Sequence, residues 1–417
     1  MKASESIKNF KPSLRMYANF AARNIKKICA EIGPREAGTQ AELDAQNYMA
    51  DQVGSAADEV KQEAFSVAPR ALLGWLRITG ILLVIAWAAY MVNMFVAKDV
   101  LYAPFIAIAV TVMILYMIFG EFLFYKEAID PILPKATSHN TYCVRKAAGE
   151  TKRRIIIGGH ADSSMEWRYT HLGGAPLMYF SYIYPVVGLA YLIFITVMQL
   201  VQGEINPTLI WINCAFLPAG IMLIFAINYK ICVEGANDNL TGCMAAAAVI
   251  KFLGDNDIRF ENTEVVALFS GAEESGLRGA KAAAKLHKDE YKECETMFLA
   301  IDTLTDYEDM AIYSKDMSFM VSHDKRVCQL LKKASANADV DLKFSAVFAG
   351  ASDAAAMTQA GIPSTCLAAM NPGPPKYYHT RDDKPDILNL KTIEKGVEIA
   401  LETVFLFDEK GLQDNYD

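Results

Sequence analysis

The sequence predicts an α/β fold: a mostly parallel sheet with helices on both faces, interrupted by two inserted membrane hairpins. Three observations predict it. Short apolar, β-branched runs alternate with longer helical ones, the pattern of a parallel sheet layered by helices. Carboxylates and imidazoles fall where the strand-like runs end, and open α/β sheets gather ligands at the carboxyl ends of their strands. Four long blocks carry no Asp, Glu, Lys or Arg, and each has at least the ~20 residues that span a bilayer.

In chain order, residues 14–50 show helical periodicity broken by Ile32-Gly33-Pro34-Arg35-Glu36-Ala37-Gly38. The uncharged blocks Ile78 to Ala97 and Val100 to Gly120 follow, joined through Lys98-Asp99. Arg154-Ile155-Ile156-Ile157-Gly158-Gly159-His160-Ala161-Asp162 reads as a buried strand running into a His-x-Asp. A second uncharged pair, Gly173 to Gly203 and Ile205 to Tyr229, is joined by a short connection ending at Pro207. The segment from Gly235 to Gly242 is a tight loop holding Asp238, and an alanine-rich helix runs from Cys243 to Leu253. Glu264 to Phe269 is a further buried strand, and small residues turn it into Glu273-Glu274. A helix over Ala280 to His287 leads to a strand over Met297 to Ile301, which ends on Asp302. Tyr377-Tyr378-His379-Thr380 follows the Pro-rich Asn371-Pro372-Gly373-Pro374-Pro375 and sets a second imidazole on a loop.

The adjacent glutamates carry the chemistry. Two neighbouring carboxylates in a crevice repel each other, and both stay ionised only if one binds a cation. The other is then free to take and give a proton. A Glu-Glu pair by itself is most often a solvated surface. Here two histidines and three carboxylates stand as ligands beside one free glutamate, a mixture of imidazole and oxygen donors that suits zinc, with manganese or cobalt as substitutes. In the His-x-Asp, the carboxylate of Asp162 is placed to orient His160.

The order H-x-D, D, E-E, D, H resembles the di-zinc aminopeptidases of peptidase family M28, which includes bacterial leucyl-type aminopeptidases, the glutamate carboxypeptidase II group and glutaminyl cyclases. The resemblance covers residues 14–69, 136–168 and 231–410, including Gly350-Ala351-Ser352-Asp353 and Gly361-Ile362-Pro363. It implies a three-layer αβα sandwich with a mixed, mostly parallel sheet of roughly eight strands. It implies that His160 and Asp302 bind one zinc, Glu274 and His379 the other, and that Asp238 bridges the two. Glu273 is then the general base, Asp162 orients His160, and Tyr378 polarises the scissile carbonyl. In that family the peptide bond after the bridging aspartate is often cis, which places the expectation on Asp238-Asn239. One departure stands out: the segment after Ser352-Asp353 often continues with His, and here it is Ala354.

The expected activity is aminopeptidase cleavage of short peptides by a water held between two zinc ions, with Glu273 moving the proton. The stretch from Asp302 to His379 is too short for the lid-like dimerisation domain of the related carboxypeptidases, which favours the aminopeptidase group. Two alternatives stand beside it: a single-zinc glutaminyl cyclase, a group that leans on tryptophans around its pocket, and a non-catalytic membrane receptor or scaffold.

The expected organisation is a peptidase domain at residues 1–69, 127–172 and 231–417, with hairpin insertions at 70–126 and 173–230. The chain has 417 residues and is 53% hydrophobic, high for a soluble enzyme. The polar start, Met1 to Arg15, argues against a cleavable signal peptide. Arg70, Arg77, Lys126, Arg168 and Lys230 sit at the domain-side ends of the hairpins, against Lys98 alone in a connecting turn, so positive-inside logic puts the catalytic domain in the cytoplasm. Eight scattered cysteines without a C-x-x-C pair fit a reducing compartment. The expected partners are peptide substrates and the lipid bilayer. A net charge of −8 with no basic stripe argues against nucleic acid, and nothing sets the oligomeric state. Short tethers from Asp162 to Gly173 and from Tyr229 to Asp238 hold the crevice within roughly 40 Å of the bilayer.

Overall fold

The computed structural model describes residues 2–97 and 100–416, so the expected Lys98-Asp99 connection lies outside the described residues. The chain divides into two compact units: Met1–Pro69, Pro134–Ser164 and Cys232–Asp417 form the first, and Arg70–Leu133 with Met165–Ile231 form the second.

The described helices are α1 (Phe10–Glu31), α2 (Gln40–Val53), α3 (Ala71–Phe95), α4 (Ala103–Met117), α5 (Arg168–Gln202), α6 (Pro207–Asn213), α7 (Leu217–Ile224), α8 (Leu240–Asp255), α9 (Arg278–Leu286), α10 (Lys325–Asn337), α11 (Asp353–Gln359) and α12 (Leu390–Lys410). The strands are β1 (Glu59–Val67), β2 (Ala136–Arg145), β3 (Arg153–His160), β4 (Met165–Trp167), β5 (Ile227–Cys232), β6 (Thr263–Ser270), β7 (Glu295–Leu304), β8 (Met310–Asp316), β9 (Val321–Ser322), β10 (Lys343–Ala346) and β11 (Ser364–Ala369).

The first unit is built on a nine-stranded sheet ordered β1-β2-β6-β3-β7-β11-β8-β10, with β9 paired to β8. Its centre is parallel, β6 with β3, β3 with β7 and β7 with β11. The flanking pairs β1 with β2, β2 with β6 and β11 with β8 are antiparallel. Alternation decides the faces: Ile155 and Ile157 of β3, Val265 and Ala267 of β6, and Met297 and Leu299 of β7 share a core with α1, α8 and α12. Across the sheet, α9 packs with α11 and on β2. This is the expected αβα sandwich.

Helix α8 is buried along almost its whole length, Leu240 to Leu253, and its small residues explain how. A Cβ on Gly242 would strike the carbonyl of Ile301 on β7, and one on Gly159 of β3 would meet Gly242 and Cys243 at about van der Waals overlap. The backbones therefore touch. Asn239 caps the helix by accepting from Gly242 N–H at 2.9 Å, and its amide donates to the Ile301 carbonyl at 2.9 Å. The start of α8 is thus pinned against the ends of β3 and β7, and Asp238 with it.

Among the described residues of the second unit, four helices are long and apolar enough to cross a membrane: Ala71–Phe95, Ala103–Leu123, Arg168–Gln202 and Pro207–Ile224. Between 28% and 39% of their apolar windows is buried within the protein, and large apolar side chains such as Val92, Phe105, Val112, Ile183 and Val197 are exposed. Gly80 and Gly220 bring α3 and α7 together, since a Cβ on either would meet the other's carbonyl oxygen. Asn93 accounts for one polar residue in the first apolar block. Its side chain donates to Ala97 and Val100 carbonyls and accepts from Tyr102 and Ala103 N–H, tying the end of α3 to the start of α4. The fourth uncharged block does not stay helical to Tyr229. Helix α7 ends at Ile224, and β5 pairs with β4. There Asn228 donates to Glu166 at 3.0 Å, and Arg77 stacks over the Tyr229 ring at 4.3 Å.

Candidate metal centre

His160 ends β3, Asp302 lies near the end of β7, and Glu273-Glu274 follow β6, so three parallel strands deliver their polar groups to one edge. Asp238 arrives from the loop before α8, and His379 from the loop before α12.

The geometry centres on Asp238. Its Oδ1 lies 3.1 Å from His160 Nε2 and its Oδ2 lies 3.0 Å from His379 Nε2. Glu274 Oε1 is 3.3 Å from the same His379 nitrogen and is buried without a hydrogen-bond donor. Donor atoms of His160, Asp238 and Glu274 all fall within 4.8 Å of one another. Glu273 Oε2 stands 3.8 Å from His160 Nε2. The rings are held from behind: His160 Nδ1 faces the Asp162 carbonyl at 3.1 Å, and His379 Nδ1 faces Ser164 Oγ at 3.1 Å. Tyr378 stacks on the His379 ring with centroids 4.0 Å apart. The peptide bond between Asp238 and Asn239 is cis.

The electrostatics show what this cluster is suited to hold. Burial, then the charges of its neighbours, pushes Asp302 up to about 8 and Glu274 up to about 7. Glu273 is pushed well above the usual carboxylate range by the same burial. Asp238 is held low despite its burial, because both histidines donate to it. For His160 and His379, burial opposes the charged ring, but the carboxylates outweigh it and raise both. Three buried carboxylates, Asp238, Glu273 and Glu274, with the half-buried Asp302, surround two imidazoles, a charge pattern that divalent cations would balance. The unpartnered Glu274 oxygen and the mixed nitrogen and oxygen donors fit zinc.

Seven of the eight residues singled out in the sequence are joined here by direct contacts, and Asp302 stands near enough to feel the charges of Asp238, His160 and Glu274. Asp162 does more there than orient His160. Its carboxylate oxygens accept the Glu273 N–H at 3.0 Å and the Glu274 N–H at 3.1 Å, while the imidazole is met chiefly by the Asp162 carbonyl. Tyr378 keeps its proton, since burial and then the charges of Asp238 and Glu274 push its hydroxyl well up. It remains a donor. Ala354, where a histidine was the family expectation, is buried in α11, and Asp353 beside it hydrogen-bonds Ser270. His287 and His323 are engaged elsewhere, with Glu63 and Glu290 and with Asp316 and Thr358 respectively.

Several supporting residues carried no sequence signal. Asp383 accepts the N–H groups of Asn237 and Asp238 at 2.7 and 3.0 Å. Arg35 is fully buried and donates to the carbonyls of Ala161, Glu234 and Gly235, tying the His160 loop to the Asp238 loop. A fixed ligand set needs such support.

Residues 222–404 match the sequence model of peptidase family M28. The resemblance to family M28 holds. The fold agrees over nearly the whole chain. An aminopeptidase from Aneurinibacillus sp. strain AM-1 is 16% identical, covers 95% of each chain and has a TM-score of 0.54. BSAP, a zinc aminopeptidase from Bacillus subtilis, is 15% identical, covering 93% of this chain and 94% of that one, with a TM-score of 0.54. An Acidobacteriales bacterium glutaminyl cyclase is 13% identical, covering 95% and 96%, with a TM-score of 0.55. No curated protein matches the chain in sequence. These likenesses carry a shared fold.

Proposed function

We propose that this chain is a membrane-embedded aminopeptidase that removes N-terminal residues from short peptides at a two-zinc centre. The observation that carries the reading is Asp238, whose two oxygens face two different imidazoles. That is how a carboxylate shared by two neighbouring cations stands. His160 with Asp302 would hold one zinc, and Glu274 with His379 the other. Zinc bound there would polarise the scissile carbonyl and make water acidic enough to attack.

The protein's own groups do the rest. Glu273, beside His160 and oriented through its amide by Asp162, takes the proton that the attacking water sheds and returns it to the leaving amine. Burial favours that role, because it pushes the Glu273 carboxyl upward and makes it a stronger proton acceptor than an ordinary glutamate. The Tyr378 hydroxyl donates a hydrogen bond to the carbonyl oxygen as negative charge develops there. Asp383 and Arg35 keep the Asp238 loop from shifting while this happens.

A glutaminyl cyclase is the second reading, since such enzymes share the fold. Counting against it, all four tryptophans, Trp75, Trp87, Trp167 and Trp211, belong to the second unit, and none to the unit that carries the centre. The discriminating experiment offers the detergent-purified chain aminoacyl reporters, the same reporters with blocked amino groups, and peptides beginning with glutamine. The expected outcome is hydrolysis of free aminoacyl substrates, at least tenfold slower turnover of blocked ones, and no loss of ammonia from glutamine. Cyclisation without hydrolysis would replace this reading with the cyclase one, and inertness toward all three would favour a receptor or scaffold.

A further inference from the structure

The turn bearing the two glutamates has an unusual completeness. Each of its four successive N–H groups is taken by a side chain from another segment. Gly271 donates to Asn140 Oδ1 at 3.1 Å, Ala272 to Glu42 Oε1 at 2.8 Å, and Glu273 and Glu274 to Asp162. Asp162 belongs to the site already described, whereas Glu42 lies on α2, far from it in sequence.

Glu42 is 1% exposed. Its second oxygen accepts the Gly38 N–H at 2.7 Å, and Ser138 Oγ donates to the carboxylate at 2.9 Å. The described ion pairs include none to Glu42, so neutral donors alone hold this carboxylate in the interior. Burying it that way is unfavourable, and packing alone does not call for it. What it holds is Ala272, whose φ of 53° is in the left-handed region that a residue with a Cβ resists. Gly271 is fitted to the same contact, since a Cβ there would meet Ser138, His139 and Glu42. The residue after Ala272 is Glu273.

We propose that Glu42 is a positioning residue for the general base: by binding the Ala272 N–H it fixes the left-handed turn that aims Glu273 into the metal centre. It touches neither substrate nor metal. A glutamine in its place keeps the shape but presents an NH2 group to one of two backbone donors, so one contact must be lost.

The test uses the full chain in detergent, comparing wild type, Glu42→Gln, Glu42→Asp and the double variant Glu42→Gln with Ala272→Gly. Its kinetic arm rests on the aminopeptidase reading. Its second arm, amide hydrogen exchange in the stretch 270–275 against the Asp238 loop at 235–239, does not. The expected result for Glu42→Gln is a kcat lower by about tenfold to a hundredfold, with KM within twofold and metal content unchanged. Exchange should quicken in 270–275 and not in 235–239. Glycine at 272 accepts a positive φ without help, so the double variant should recover much of the lost kcat, which a role in merely anchoring α2 would not allow. Glu42→Asp keeps the carboxyl group but shortens the reach, and should show the same kcat and exchange changes if Glu42→Gln does not fold. Unchanged exchange in 270–275, exchange that rises equally in both loops, or a kcat loss that glycine does not relieve would overturn the proposal. Wild-type inertness toward every aminoacyl substrate would sink the aminopeptidase reading alone and leave Glu42 to the exchange arm.

Discussion

Glu273→Gln is expected to lower kcat by about 10²- to 10⁴-fold while metal content and KM stay near wild type. The substitution removes a proton acceptor and almost nothing else. Glutamine has the same shape, and the contact that orients this residue runs from its main-chain N–H to Asp162, which survives. The neighbouring Glu274, which faces His379, is the expected ligand and is untouched. Steady-state kinetics with an aminoacyl reporter and elemental analysis of the same preparation check the result. Full activity with intact metal would mean that another group moves the proton.

Asp238→Ala is expected to have the second large effect, and on a different quantity. Because the two Asp238 oxygens face His160 and His379 separately, losing them removes a shared donor from both halves of the centre. Zinc should fall from two ions per chain to at most one, and turnover should drop by about 10³-fold or more. The fold should persist, since the Asp383 contacts at this loop are to the main-chain N–H groups of Asn237 and Asp238. Elemental analysis beside far-ultraviolet circular dichroism checks both halves of the prediction. Two ions retained by the variant would show that Asp238 does not bridge.

Much of the centre was legible because its signals are local. A β-branched run followed by small residues and a polar group says where a strand ends and what it carries, and this holds for β3 and β6, whereas β7 runs past Asp302 to Leu304. The alanine and glycine content of α8 likewise reports a helix pressed close to a sheet. Glu42, Asn140 and Asp383 were not legible for a physical reason. They act by accepting backbone N–H groups 230, 131 and 146 residues away, and nothing in their own neighbourhoods marks them. Arg35 sat in plain view within Gly33-Pro34-Arg35, where an arginine reads as a surface residue, yet it is fully buried with four carbonyls around it. Strand β1, Glu-Val-Lys-Gln-Glu-Ala-Phe-Ser-Val, sits at the sheet edge with much of its length exposed, so its charged pattern hides the strand. The end of the fourth apolar block misleads in the opposite direction. Lacking charge, residues 225–229 merge by composition with the helix before them, and only the pairing of β5 with β4 separates them.

The most direct test of the central claim, a two-zinc aminopeptidase, is a titration of the detergent-purified chain with chelator followed by zinc, reading bound metal and aminoacyl turnover together. The expected result is close to two zinc ions per chain at full activity, loss of turnover as they are withdrawn, and recovery as zinc returns. Turnover that continues after the last ion has been removed would contradict it.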